Sequence, residues 1–285
     1  MTWQLFIILY LIASTAFYLT RRKLATSLAK YNRLINGFAL AGVLYPLGLI
    51  VAFVLQPNLA IGWQNIVLLL AGSLLFPLVN VLSFRANKEL DAGMFTIFSN
   101  ITPVVTIAAA WLLLNEALTD LQLLGAVVII SSAFMVTARS VGRTLPTRGI
   151  LYALLAVSLL GLAIVFERWM LTRIDFGAYL VYGWGAQTVW AVIMAWPERK
   201  RLGQLFARSR LRGVIVYAVA NACKGLSFIA ALKLSENASV IGAYIAFNAV
   251  LVVVAAYIIL GERESMLRKL TAAALGTAGL IILSI

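Results

Sequence analysis

LLLNEALTDLQLLGA (residues 112–126) closes one apolar run, turns through Glu116 and opens another, and 146 residues later IILGERESMLRKLTA (258–272) does the same around Glu262. A helix, turn and helix that recurs once in a chain of 285 residues points to two copies of one unit. The same shift lays Arg22 on Arg168 and Gly37 on Gly183. A shift of 144 lays LSF (82–84) on LSF (226–228), and two residues of slippage after the third run reconcile the two shifts. Each match alone is weak; in order, they make a repeat.

The sequence around these segments is apolar from end to end. Hydrophobic residues make up 63% of the chain and charged residues 12%, more apolar material than a soluble core of this length buries. Breaks of charge, proline and glycine divide it into ten runs, 3–20, 34–55, 65–84, 94–114, 119–138, 149–166, 177–196, 212–232, 238–260 and 267–285. Each is close to the length of about 20 residues that crosses a hydrocarbon layer as a helix. The expected fold is an all-α integral membrane protein of ten transmembrane helices, with residues 1–142 and 143–285 as its two five-helix repeats. The basic cluster Arg21, Arg22, Lys23 follows the first run instead of preceding it, so that run reads as a retained span and not a cleaved signal.

The formal charge of +13 is best sorted by loop. Loops after runs one, three, five, seven and nine carry 19 Lys and Arg; the other side carries Arg168, Arg173 and Lys233, and Lys224 lies inside a run. The positive-inside rule then places both termini outside the cytoplasm of a multi-pass protein of a bacterial-type inner membrane. In the first copy the bases follow its first and third runs, and in the second they favour the second and fourth. Five spans are an odd number, so a second copy enters the membrane upside down, and the charge bias has inverted with it. The basic balance therefore speaks of topology and a lipid bilayer, not of nucleic acid. One cysteine, Cys223, excludes an internal disulfide, and the lack of histidine removes zinc sites and histidine bases together. No metal and no cofactor is expected.

Two five-run copies, each ending in an apolar helix, a glutamate turn and a small-residue helix, resemble the EamA-type transporters of the drug/metabolite transporter superfamily. The resemblance covers the whole chain and is most specific at ITPVVTIAAAWLLLNEALTDLQLLGAVVI (101–129). The second copy departs from it, with Ala249 where Pro103 has its counterpart and Thr271 in place of Gly125. The resemblance implies a ten-helix inverted-repeat carrier with a central cavity that exports amino acids, related metabolites or drugs. It also implies cytoplasmic termini, against which the Lys and Arg distribution argues.

Lys224 stands out within AVANACKGLSF (218–228), near the middle of its run. Insertion scales place a lysine there at about +2.5 to +3.5 kcal/mol, a cost tolerated when the ammonium meets a wet cavity or an anion. Tyr217, Asn221, Lys224 and Phe228 recur at four, three and four residues and share one helix face. The matching stripe of the first copy holds Asn80 where the second has Lys224. Phe98 and Asn100 lead into Pro103, where a kink is expected, and Tyr244 and Asn248 lie in the counterpart run. Trp184 and Gln187 offer stacking and hydrogen bonding, and Asn36 a further amide. Glu116 and Glu262 read as structural carboxylates at the N-termini of the helices that follow them. All ten acidic residues fall in loops or at run ends, with Glu167 and Lys224 the groups able to carry a proton. Small residues such as Ala272 and Gly276 read as tight packing.

The expected activity is export of a small organic solute such as an amino acid or related carboxylate by alternating access, with Lys224 as anion partner. Import, drug export and exchange of nucleotide sugars or phosphorylated solutes stay open; the last calls for several cations, and the sequence displays one. A lipid-linked transferase is the remote alternative, for which histidine bases and clustered acids are missing. The expectation is a transporter and not an enzyme. The oligomeric state is open, a monomer included.

Overall fold

The computed structural model describes residues 2–114, 119–137, 147–234 and 247–284; Glu116 and Tyr244 lie outside them. Every regular element among these residues is helical. The chain runs through α1 (Thr2–Ser27), α2 (Asn32–Ala39), α3 (Tyr45–Leu55), α4 (Trp63–Gly72), α5 (Leu75–Glu89), α6 (Ala92–Ser99), α7 (Ile101–Leu114) and α8 (Asp120–Thr137). It continues through α9 (Thr147–Leu171), α10 (Phe176–Ala195), the short α11 (Leu202–Leu205), α12 (Arg208–Leu234), α13 (Asn248–Ala255) and α14 (Met266–Ser284).

Six stretches among the described residues are long and apolar enough to cross a bilayer: Gln4–Ser27, Ala29–Leu55, Trp63–Glu89, Ala92–Ala109, Thr147–Leu171 and Met266–Leu283. Asp120–Met135 and Asn248–Leu260 are shorter apolar helices. Prolines interrupt the first copy's runs, because a proline has no N–H to give to the carbonyl four residues back. A π-helical turn, Leu40–Leu44, precedes Pro46; a break at Ser73 and Leu74 precedes Pro77; and α6 and α7 part at Asn100, three residues before Pro103. The interruption at Asn100 is where the kink was expected.

One boundary differs in a way that matters. The first run was expected to end near residue 20 with its bases in a loop, but α1 continues to Ser27, so Arg21 and Arg22 are helical. Arg22 pairs with Asp91 and Glu262 across the bundle end, whereas Arg21 turns onto aromatic rings.

The main helix contacts are α1 with α12, α5 with α9, α8 with α14, α7 with α9, and α10 with α2 and α3. α13 packs against α14, α6 and α1. α8 and α14 approach most closely at Gly125, where a Cβ would lie 2.7 Å from the Leu283 backbone nitrogen and 2.8 Å from the Gly279 oxygen. The two helices come together there because Gly125 and Gly279 carry no side chain. Leu5, Ile8, Leu9 and Ile12 of α1 and Ile215, Val216 and Val219 of α12 stay exposed, as suits faces turned to hydrocarbon.

Candidate functional site

The candidate site lies between α1 and α12. Tyr10 of α1 meets Phe228 of α12 at 5.9 Å between ring centroids, and Phe17 stacks on Tyr217 at 5.1 Å, so the two helices run antiparallel. α12 presents the stripe Tyr217, Asn221, Lys224, Phe228. α1 answers with Tyr10, Ser14, Phe17, Arg21, at the same spacings of four, three and four. Exposure rises along the α12 stripe from Tyr217, at 0%, through half-buried Asn221 and Lys224 to Phe228, at 37%. The two stripes face each other across the α1–α12 contact, which is most exposed toward the N-terminal end of α1 and fully buried at Tyr217.

Arg21 forms the buried end with Tyr217. It is 4% exposed, and its guanidinium lies over the rings of Phe17 (4.9 Å), Tyr18 (4.8 Å) and Phe95 of α6 (4.4 Å). Its Nε and one terminal nitrogen have no hydrogen-bond partner among the described residues. The Lys224 ammonium lies 4.1 Å from the Phe17 ring centroid and 6.0 Å from that of Tyr18. Two cations therefore share two rings, and among the described residues neither has a carboxylate partner. A ring face attracts a desolvated cation by about 2 kcal/mol, less than the several kcal/mol that taking an ion out of water costs.

The rest of the site is neutral. Tyr217 sits edge-on to Phe84 of α5 at 5.4 Å, and its hydroxyl donates to Asn36 Oδ1 at 3.3 Å. Asn80 is half-buried on α5, one turn before Phe84. The structure thus sets Tyr217, Lys224 and Phe228 against α1, with Asn221 on the same helix stripe by its spacing. Other expected residues lie elsewhere: Phe98 is 3% exposed in the core between α6, α13 and α14, and Asn248, at the start of α13, is 6% exposed. Asn100 packs on α14, where a Cβ at Gly276 would come within 2.6 Å of its Nδ2. Trp184 lies against α3 at Gly48, and Gln187 is buried beside Tyr179, which in turn faces Glu167. Arg21, Phe17, Tyr18 and Phe95 escaped the sequence reading. The signal was the 4-3-4 spacing from Tyr10 to Arg21, hidden by ending the run at residue 20.

Next to Arg21, an ionic cluster ties the bundle end together. Asp91, at the N-terminus of α6, holds Lys269 of α14 at 2.6 Å and Arg22 at 3.6 Å, and Arg22 also pairs with Glu262 at 3.5 Å and donates to the Asn87 carbonyl. Glu262 does not serve the helix that follows it, as expected from sequence; it accepts from the Ala92 N–H at 3.1 Å and so caps α6. Gly261, at φ 69°, is in the left-handed region that lets the chain turn back across the bundle there.

Burial first, and the charge of Asp91 second, push the Glu262 carboxyl above its ordinary range, against the pull of Ala92 N–H, Lys269 and Arg22. A carboxyl raised on folding contributes stability that is fully present below the unfolded value of about 4.3 and is lost as pH rises through the folded value. Glu262→Gln, which mimics the protonated form, therefore gains on the wild type as pH rises from about 4 toward neutrality. Melting temperatures of both proteins across that range check this; a constant difference would count against it.

The helices define a multi-pass membrane protein. Residues 1–138 match the model of the EamA-like transporter family, which is consistent with an EamA-type member of the drug/metabolite transporter superfamily. The family consists of transporters, not enzymes. In fold, 24 solved chains match it. One, a crystal structure described only as that of a protein, superposes with a TM-score of 0.60 at 15% identity, over 98% of this chain and 94% of that one, which shows a shared fold and no more. No curated protein sequence matches the chain.

Proposed function

We propose that the chain is a ten-helix carrier of two inverted repeats, residues 1–142 and 143–285, that moves a small organic solute bearing a carboxylate outward across an inner membrane by alternating access. The repeat is supported by the packing, which keeps its pattern when the copies are exchanged. α1 on α12 becomes α9 on α5, and α13 on α1 becomes α7 on α9, while α8 with α14 and α2 with α10 pair with their own counterparts. The end of the family match at residue 138 supports a boundary near residue 142. The charge inversion between copies supports termini outside the cytoplasm.

The observation that carries the functional reading is the pair of facing stripes with Arg21 and Lys224 between them. A site with a cationic floor and aromatic walls selects a solute with an anionic end and an apolar or amide-bonding body. Asn221 lies on the same stripe, and Asn80 on the neighbouring helix, as hydrogen-bonding groups for that body; Phe228 and Tyr10 stand at its exposed end. Phe98, Asn100, Tyr244, Asn248, Trp184 and Gln187 are assigned to the same pathway in its other conformations.

The test is a panel of amino acids, organic acids and cationic drugs applied to purified protein, read as thermal stabilisation and as currents on a solid-supported membrane. Carboxylates should stabilise and carry current, and Lys224→Ala should weaken that response at least about tenfold with folding intact. Stabilisation by cations with none from carboxylates would overturn the reading.

A further inference from the structure

We infer that the facing stripes of α1 and α12, at Arg21 and Lys224, take a dianion, a small organic solute with two negative charges such as a dicarboxylate or a phosphate monoester. The inference rests on the transport reading above and extends it to the charge of the substrate. Lys224 alone matches one carboxylate. The tertiary structure adds Arg21, which approaches the ring of Phe17 as Lys224 does, one cation from each helix. A ligand held between the helices meets both.

Among the described residues, the carboxylates of the neighbouring ionic cluster are committed elsewhere. Asp91 is held by Lys269 and Arg22, and Glu262 by Arg22 and the Ala92 N–H. The Tyr217 hydroxyl is engaged by Asn36. Two positive charges in surroundings of Phe17, Tyr18, Phe95 and Tyr217 are left half-compensated by a monoanion and fully compensated by a dianion, and in such surroundings the second compensation is weighted heavily.

The two cations also differ in shape and depth. Arg21 is buried and has Nε and a terminal nitrogen unpartnered, the planar pair that matches the two oxygens of a carboxylate or phosphate. Lys224 is half-buried and is a point charge that follows a ligand of variable length. One anionic end is clamped at the floor, and the second charge is met nearer the exposed end.

Matched probes test this on the full-length protein near neutral pH: succinate against succinamate, and glycerol 3-phosphate against its methyl diester, with choline as the cation. At least one dianion should bind about tenfold more tightly than its monoanionic partner. Lys224→Gln should shrink that ratio to within about twofold while monoanion binding stays measurable, and Lys224→Arg should restore it. Preference in either pair supports the proposal and says whether carboxylate or phosphate supplies the second charge. Equal affinity within both pairs, or a ratio that survives Lys224→Gln, overturns the dianion assignment and leaves the carboxylate carrier standing. No response to any anion, with or without binding of choline, overturns both.

Discussion

Arg21→Met should raise the melting temperature of the ligand-free protein and abolish its stabilisation by anions. The two effects have one cause. Arg21 is 4% exposed, and two of its guanidinium nitrogens have no partner among the described residues, so the folded protein carries the desolvation of a charge that the three rings only partly offset. Methionine fills a similar volume and keeps sulfur contacts to Phe17, Tyr18 and Phe95. Replacing buried charge by apolar volume stabilises other proteins by about 1–4 kcal/mol, and that is the expected gain here. The anion response disappears because its deepest cation is gone. Loss of stability in Arg21→Met would mean that the arginine is structural. Retention of the anion response would remove it from the site. A residue that destabilises the fold while serving a ligand is the expected trade between stability and function.

Asp91→Asn should have the opposite sign. Lys269 is 4% exposed and lies 2.6 Å from Asp91, so the substitution leaves a buried ammonium beside a neutral amide. Removing one partner of such a pair costs about 3–5 kcal/mol, mostly because the remaining charge stays buried. The double variant Asp91→Asn, Lys269→Met should recover most of the loss, since neither charge is then stranded. Arg22 loses its 3.6 Å contact with Asp91 but keeps Glu262, so the larger loss falls on Lys269. Melting curves of the three proteins decide it: a single variant as stable as the wild type would show that Lys269 takes Glu262 instead. The same cluster joins α1, the turn between α5 and α6, and α14 at the end of the bundle away from Tyr10 and Phe228. Weakening it should therefore also alter transport currents, because in alternating access that end has to open.

The helical class was readable because it depends on composition and period. Apolar runs of membrane length leave helices as the solution, and the two glutamate turns 146 residues apart are the sequence signal behind the proposed repeat. Lys224 was equally visible, since one charge inside an apolar run has an energetic cost that sequence alone exposes. Arg21 was not. It stands beside Arg22 and Lys23, and three bases after an apolar run read as a cytoplasmic loop until the helix is seen to pass through them. Glu262 was recognised as a helix-end carboxylate but given to the wrong helix, because the N–H it satisfies belongs to Ala92, 170 residues away.

The sequence by itself determined that the chain carries helices able to span a membrane repeatedly, and that Lys224 calls for an explanation. These follow from local periodicity and from the cost of charge in hydrocarbon, which need no knowledge of neighbours. Only the tertiary structure decided that Arg21 turns inward, that it shares Phe17 with Lys224, and that Asp91 and Glu262 are occupied by Arg22, Lys269 and Ala92. Which charges are neutralised within the protein, and which are left for a ligand, is a property of pairs of helices, and a pair is settled only when the helices pack.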